Sequence, residues 1–169
     1  MTGAARAVWL PFSVERIEKR MSKFLVIAEK PSVAQSYAKN LSAYKKEDGY
    51  LEGESCIISW CLGHLAEYAE PEEYDPKYEK WQFDDLPILP QVWKLKVSRD
   101  KKKQFDVLKS LMNRADVDYL VNGCDAGREG ELIFQRVYDL AGCRKPVKRL
   151  WISSMAVSYT HLRAHETTL

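Results

Sequence analysis

With 169 residues and a mass of 19.5 kDa, the chain is about one domain long, and 46% hydrophobic against 30% charged residues is the balance of a core-forming protein. Collagen-like, mucin-like and wholly disordered classes are excluded. The 26 bases and 24 acids leave a formal charge of +2, so any polyanion partner has to be read from local clusters rather than from overall charge.

The longest apolar runs, such as residues 24–28 and 60–62, fall far short of the roughly 20 residues that span a bilayer, and no membrane partner is read. The four cysteines, Cys56, Cys61, Cys124 and Cys143, contain no Cys-x-x-Cys pair. They read as reduced packing thiols, which points to a cytoplasmic address. The ends differ from the middle. Residues 1–20 carry neither a helical nor an alternating period, and Met21 leads straight into a strand pattern, so 1–20 is expected to be a non-native or untranslated-region leader. Residues 156–169 again lose any packing period and are expected to be a foreign or disordered tail, leaving 21–155 as the domain. His161 and His165 lie in that tail with Glu166 in the wrong order for a His-Glu-x-x-His zinc helix, and no zinc is assigned.

Between the ends, short apolar strands alternate with amphipathic helices, an α/β layout. Residues 24–28 form a continuous apolar run, as expected for a central strand covered on both faces. Pro31 suits a first helical turn, after which Val33, Ala34, Tyr37, Ala38 and Leu41 recur on one face. Residues 50–52 and 56–62 read as a hairpin about Gly53, with Gly63 and His64 turning the chain. The proline-punctuated stretch 71–90 reads as a long excursion whose Tyr74, Tyr78, Trp81 and Phe83 are too apolar to stay solvated. Residues 92–97 alternate, which predicts a strand burying Trp93, Leu95 and Val97 and exposing Val92, Lys94 and Lys96. A helix from Lys101 follows, with Ser98 or Asp100 as its cap and Phe105, Leu108, Leu111, Met112 and Ala115 on its core face. Residues 117–121 give a second buried strand. The next helix takes Leu132, Ile133, Val137, Leu140 and Ala141 inward and stops at Gly142, and residues 147–152 supply a further strand.

Two acidic turns carry the chemistry. Glu29 and Asp125 each fall just after a strand, where ligands collect in an open parallel sheet. Asp125, Glu129 and Glu131 are hard oxygen donors of the kind Mg2+ takes one or two at a time while keeping waters that phosphate oxygens can replace. Gly127 and Gly130 let the backbone turn tightly, and Lys30 and Arg128 offer charge to a phosphodiester. Against this stands a purely structural account: acids in a first helical turn gain about 0.3–1 kcal/mol each from the macrodipole.

The blocks 24–35 (Phe-Leu-Val-Ile-Ala-Glu-Lys-Pro-Ser-Val-Ala-Gln), 124–132 (Cys-Asp-Ala-Gly-Arg-Glu-Gly-Glu-Leu) and 149–155 (Arg-Leu-Trp-Ile-Ser-Ser-Met) together resemble the amino-terminal Toprim domain of bacterial type IA DNA topoisomerases of the topoisomerase III kind. The resemblance covers residues 21–155. It implies a Toprim fold, a mainly parallel central sheet flanked by helices, in an enzyme that cuts single-stranded DNA, passes a strand and reseals it, with Mg2+ as cofactor. It assigns catalytic acid–base work to Glu29 and the scissile phosphate to Lys30, with Asp125, Glu129 and Glu131 at the metal. The family's Asp-x-Asp-x-Glu motif falls on Asp125, Gly127 and Glu129, so the second aspartate is missing here and one metal ion is expected rather than two. The family's nucleophilic tyrosine belongs to a later domain. None of the nine tyrosines here sits in its motif, so the chain by itself is expected to be inactive and to depend on the remaining domains of a parent topoisomerase.

DNA contact is expected from Arg128, from His64 in the Gly63-His64-Leu65 block, and from Lys101 and Lys102 in the basic cluster 99–103. The competing accounts are a turn histidine and a solvated lysine face. Trp60, Trp81, Trp93 and Trp151 are read as core rather than as base-stacking platforms. Two other functional classes stay open: a stand-alone Toprim nuclease or primase-like phosphoryl-transfer enzyme, and a non-catalytic DNA-binding remnant.

Overall fold

Strand β1 (Lys23–Ala28) runs through the middle of the sheet, and its uninterrupted Leu-Val-Ile-Ala stretch is buried because both of its faces are covered. Leu25 and Ile27 point to one side, into a core completed by Phe105, Leu108, Leu120, Phe134 and Val137. Val26 and Ala28 point to the other, where Ala34, Tyr37, Ala38 and Ile58 pack. The computed structural model describes residues 22–80 and 82–151, together with the backbone of Ala164 and His165.

From β1 the chain enters α1 (Pro31–Leu41) and then β2 (Lys45–Glu47), β3 (Tyr50–Glu52) and β4 (Cys56–Trp60). After β5 (Ala66–Tyr68) come three 3₁₀ turns, at Pro71–Glu73, Pro76–Glu79 and Phe83–Asp85, and then β6 (Leu95–Val97). A further 3₁₀ turn at Arg99–Lys101 leads into α2 (Lys102–Met112), β7 (Val117–Gly123), α3 (Arg128–Ala141) and β8 (Val147–Leu150). Six strands stand in the order β2-β3-β4-β1-β7-β8, and a two-residue strand β9 (Ala164–His165) adds antiparallel to β8. β4, β1, β7 and β8 are parallel; β2 and β3 form an antiparallel edge. α1 covers one face, and α2 and α3 the other. This is the mixed α/β, mostly parallel and helix-flanked sheet expected for a Toprim fold.

Several local expectations are corrected. β2 and β5 were not legible, since Lys45–Glu47 is charged throughout and Ala66–Tyr68 is too short to show a period. The strand expected at 92–97 shrinks to Leu95–Val97 and pairs with β5 in a separate two-stranded ribbon, leaving Trp93 outside the core at 54% exposure. Trp151 is also exposed, so core is the wrong assignment for both tryptophans. Trp81 lies outside the described residues. In α3 it is Phe134, not Leu132, that is buried. The Ser98 hydroxyl hydrogen-bonds the Glu67 carboxylate instead of capping the following helix. All four cysteines are buried free thiols.

At the amino ends of β1 and β7, charge is fully paired. The Arg114 guanidinium donates to both carboxylate oxygens of Asp116, at 2.9 and 2.7 Å, and to Glu52 Oε1 at 3.0 Å, while Lys23 Nζ lies 2.6 Å from the same Glu52 oxygen. Arg114 holds the Asp116 carboxyl down to about 2, below its ordinary 3.8. An acid whose folded value is depressed stabilises the fold above its unfolded value, and that contribution is lost as pH falls through the folded value. Arg114→Met is therefore expected to cost about 1–2 kcal/mol at pH 7 for this partly exposed group, and the gap from wild type is expected to narrow as pH falls from about 4 toward 2. Urea titrations of both proteins across that range check it.

Candidate functional site

β1 and β7 pair in parallel with Ala28 opposite Gly123, so the residues that follow, Glu29 and Cys124-Asp125, leave the sheet side by side. From there the chain turns to opposite faces, into α1 after β1 and into α3 after β7. That divergence opens a crevice at the carboxyl ends, where ligands bind in open α/β sheets. Glu29 is 8% exposed, and its Oε2 accepts the Asp125 backbone N–H at 3.3 Å. Lys30 Nζ lies 3.6 Å from Glu29 Oε1, with most of its side chain in solvent.

The acidic loop is held from below. Arg149, projecting from β8, donates to the carbonyl oxygens of Asn122 and Cys124, each at 2.9 Å, and of Asp125 at 2.8 Å. Its Nε stands 3.2 Å from Glu131 Oε2. Asn122, almost fully buried, accepts the Cys124 N–H through Oδ1 at 3.1 Å and donates through Nδ2 to Glu131 at 3.0 Å. The Tyr37 hydroxyl donates to the Gly123 carbonyl at 2.8 Å. Burial, with smaller contributions from Cys124 and Asp125, pushes that hydroxyl up to about 12, so it remains a donor at any ordinary pH. The neighbouring Cys124 thiol is pushed up by its hydrogen bond with Cys61 and by burial, so it stays a neutral packing group.

Glu131 thus has its carboxylate engaged by Arg149 and Asn122. The Asp125 carboxylate makes no hydrogen bond or ion pair among the described residues. Glu129, exposed at the start of α3, meets His64 Nε2 at 3.3 Å. His64 arrives on the turn after β4, where Gly63 takes the left-handed conformation; its Nδ1 is buried without a hydrogen-bond partner among the described residues. Lys101 Nζ donates to the His64 carbonyl at 3.0 Å, which ties the start of the basic cluster to this rim. Lys102 pairs with Asp106 at 2.7 Å and Lys103 with Asp48 at 2.7 Å. Arg128 is exposed at the mouth. Glu29, Lys30, His64, Asp125 and Glu129 are therefore linked along one rim, while Lys102 is occupied along its own helix. Sequence reasoning missed Arg149 and Asn122 as site builders. The available signals were a polar residue ending a buried strand and an arginine opening the third block.

Among the described residues no three carboxylate, imidazole or thiol groups converge into a preformed metal cage. Mg2+ does not need one, because it binds through one or two carboxylates and keeps several waters. The free Asp125 carboxylate and the exposed Glu129 fit that mode of binding.

This sheet order, with two acidic turns meeting at the carboxyl ends of β1 and β7, defines a Toprim domain, and the Toprim domain model matches residues 24–155. The chain belongs to the Toprim family. Its relatives include the DNA topoisomerase 3 of Bacillus cereus (strain ATCC 10987 / NRS 248), 52% identical over 135 residues, and that of Bacillus subtilis (strain 168), 49% identical over 135 residues. The matched segment is 80% of this chain but only 18% and 19% of those proteins. The chain is thus similar to the Toprim domain of a bacterial topoisomerase III and spans about a fifth of such a protein's length.

One glycine fixes how closely α3 approaches the loop. A Cβ on Gly130 would lie 2.3 Å from the Asp125 carbonyl oxygen and 2.9 Å from its nitrogen, both of them backbone atoms that cannot swing aside. Gly130→Ala is therefore expected to push α3 off the loop and destabilise the protein by about 1–3 kcal/mol. Chemical denaturation measures this; an unchanged midpoint would show that the approach tolerates a methyl group.

Proposed function

We propose that this domain binds Mg2+ and a single-stranded DNA phosphodiester at the carboxyl ends of β1 and β7, as the metal-binding half of a type IA topoisomerase cleavage site. The observation that carries the reading is the hydrogen bond from the Asp125 backbone to Glu29: two acidic turns 96 positions apart share one crevice. Glu29 is buried enough to keep its orientation and close enough to the mouth to exchange a proton with a sugar hydroxyl. Lys30, solvent-facing beside it, supplies a positive charge to the scissile phosphate. Asp125 and Glu129 hold the metal, which when bound neutralises phosphate charge and fixes the phosphate's orientation. Glu131 serves from behind, keeping Arg149 and Asn122 in place. Arg128, His64 and Lys101 line the approach for the DNA backbone. The covalent step requires a tyrosine supplied by the rest of a longer polypeptide, so the 169-residue chain binds but does not turn over. A cytoplasmic location accords with four buried cysteines that form no disulfide.

The double variant Asp125→Asn with Glu129→Gln is expected to weaken Mg2+ binding at least tenfold by calorimetry while leaving thermal unfolding without metal near that of wild type. Unchanged affinity would reduce these acids to helix-start stabilisers. Metal-dependent cleavage by the chain alone, lost in Glu29→Gln, would replace the topoisomerase reading with a stand-alone nuclease.

Gly127 sets the metal count. Its backbone is extended, with φ −170° and ψ 170°, and a Cβ there would meet nothing within 4 Å. Any residue fits. Gly127→Asp, which restores the acidic spacing that the resemblance leads one to expect, is predicted to fold normally and to raise the Mg2+ stoichiometry from one to two in the same calorimetric experiment. A stoichiometry that stays at one would locate the single-metal limit elsewhere in the loop.

A further inference from the structure

The excursion between β5 and β6 is built largely from 3₁₀ turns, and it is only half covered. Tyr74 and Trp93 anchor it: the Tyr74 hydroxyl accepts the Lys94 N–H at 2.9 Å, and the Trp93 ring centroid lies 5.1 Å from that of Tyr68 and 6.4 Å from that of Tyr74. Past that anchor the apolar side chains face solvent. Phe83 is 89% exposed, Leu89 74%, Val92 73% and Leu86 48%, alongside Trp93. Single exposed apolar residues are ordinary, but five large ones within eleven consecutive positions of one excursion are an exposure of the kind that accompanies an interaction surface. Charge narrows the occupant. Residues 70–96 contain seven carboxylates against four lysines, with Lys96 paired to Glu70 and Glu73, and Asp84 and Asp85, which no lysine pairs among the described residues, sit directly beside Phe83. A polyanion would be repelled. The occupant has to be an apolar surface with a basic rim.

The chain also accounts for only 18–19% of the length of the relatives it matches, so in such a protein most of the polypeptide lies outside this domain. We propose that the strip at residues 83–93 is the docking surface for the remainder of that longer polypeptide, seated through Phe83, Leu89, Val92 and Trp93 and oriented by the Asp84 and Asp85 carboxylates. The inference rests on reading this domain as one part of a topoisomerase III, and it assigns the surface that holds the parts together. Interfaces between domains of one chain bury about 600–1,500 Å², a scale at which such a strip forms the apolar centre.

The four native cysteines are buried, so Val92→Cys introduces an exposed thiol on the patch. Its rate of alkylation by a maleimide is measured in the 169-residue chain alone, with the part of Bacillus cereus DNA topoisomerase 3 outside its matched 135 residues added, and with residues 21–155 fused in place of that matched segment. The expected result is fast labelling alone and at least tenfold slower labelling in the fused protein. Phe83→Ser with Leu89→Ser is expected to restore fast labelling, and Asp84→Lys with Asp85→Lys to weaken protection by the added part in a salt-dependent way. Equal rates in the chain alone and in the fused protein overturn the proposal. So does protection of the chain alone that grows with its own concentration, which indicates a second copy, or protection by an oligothymidylate, which indicates nucleic acid. Labelling reads neither metal nor catalysis. A protected thiol with no Mg2+ binding therefore sinks the functional reading alone, and Mg2+ binding with an unprotected thiol sinks the docking alone.

Discussion

The parallel pairing of β1 with β7, Ala28 opposite Gly123, is the constraint on which the site depends. Side chains alternate across a strand, so a slip of one residue would carry Leu25 and Ile27 to the α1 face and strip the α2–α3 core of its central contacts. The register is therefore fixed by burial on both faces, and the same register sets Glu29 beside Asp125. The site's geometry follows from packing that has no chemical role of its own.

Given that register, the acidic loop still has to resist the repulsion of its own charges. Arg149 answers this from beneath: one guanidinium takes the carbonyl oxygens of Asn122, Cys124 and Asp125 and lies against Glu131, so positive charge stands under a loop whose Asp125 and Glu129 face outward. The three acids of the loop consequently divide their work. Glu131 is engaged by Arg149 and Asn122, whereas the Asp125 carboxylate at the mouth has no hydrogen bond or ion pair among the described residues.

What could be read in advance was whatever packing writes into a local pattern. The run at 24–28, the helix opening at Pro31 and the stop at Gly142, whose φ of 67° only glycine takes without strain, all announce themselves within a few residues. The meeting of Glu29 with Asp125 was legible only through a rule about where ligands gather in such sheets. Arg149 and Asn122 were not legible as site builders, because their roles consist of contacts with carbonyl oxygens and a carboxylate brought close by the fold rather than by the sequence. Trp93 misled for a related reason: alternation identifies the two faces of a strand, and Trp93 lies just before β6 begins, where that alternation no longer decides what is covered.

The two ends of the sheet show how charge is apportioned. At the amino ends of β1 and β7, Lys23, Glu52, Arg114 and Asp116 satisfy one another, and the arrangement stabilises the fold. At the carboxyl ends the pairing is looser: Glu29 meets Lys30 and Glu129 meets His64, while the exposed Asp125 carboxylate has no hydrogen bond or ion pair among the described residues. The edge beyond β5 and β6 repeats the pattern with apolar surface: Phe83 and Leu89 stand in water, Phe83 directly beside two aspartates, a placement that gains nothing for the isolated domain. In both places groups are left without partners among the described residues, in contrast with the well-paired amino-terminal end of the sheet.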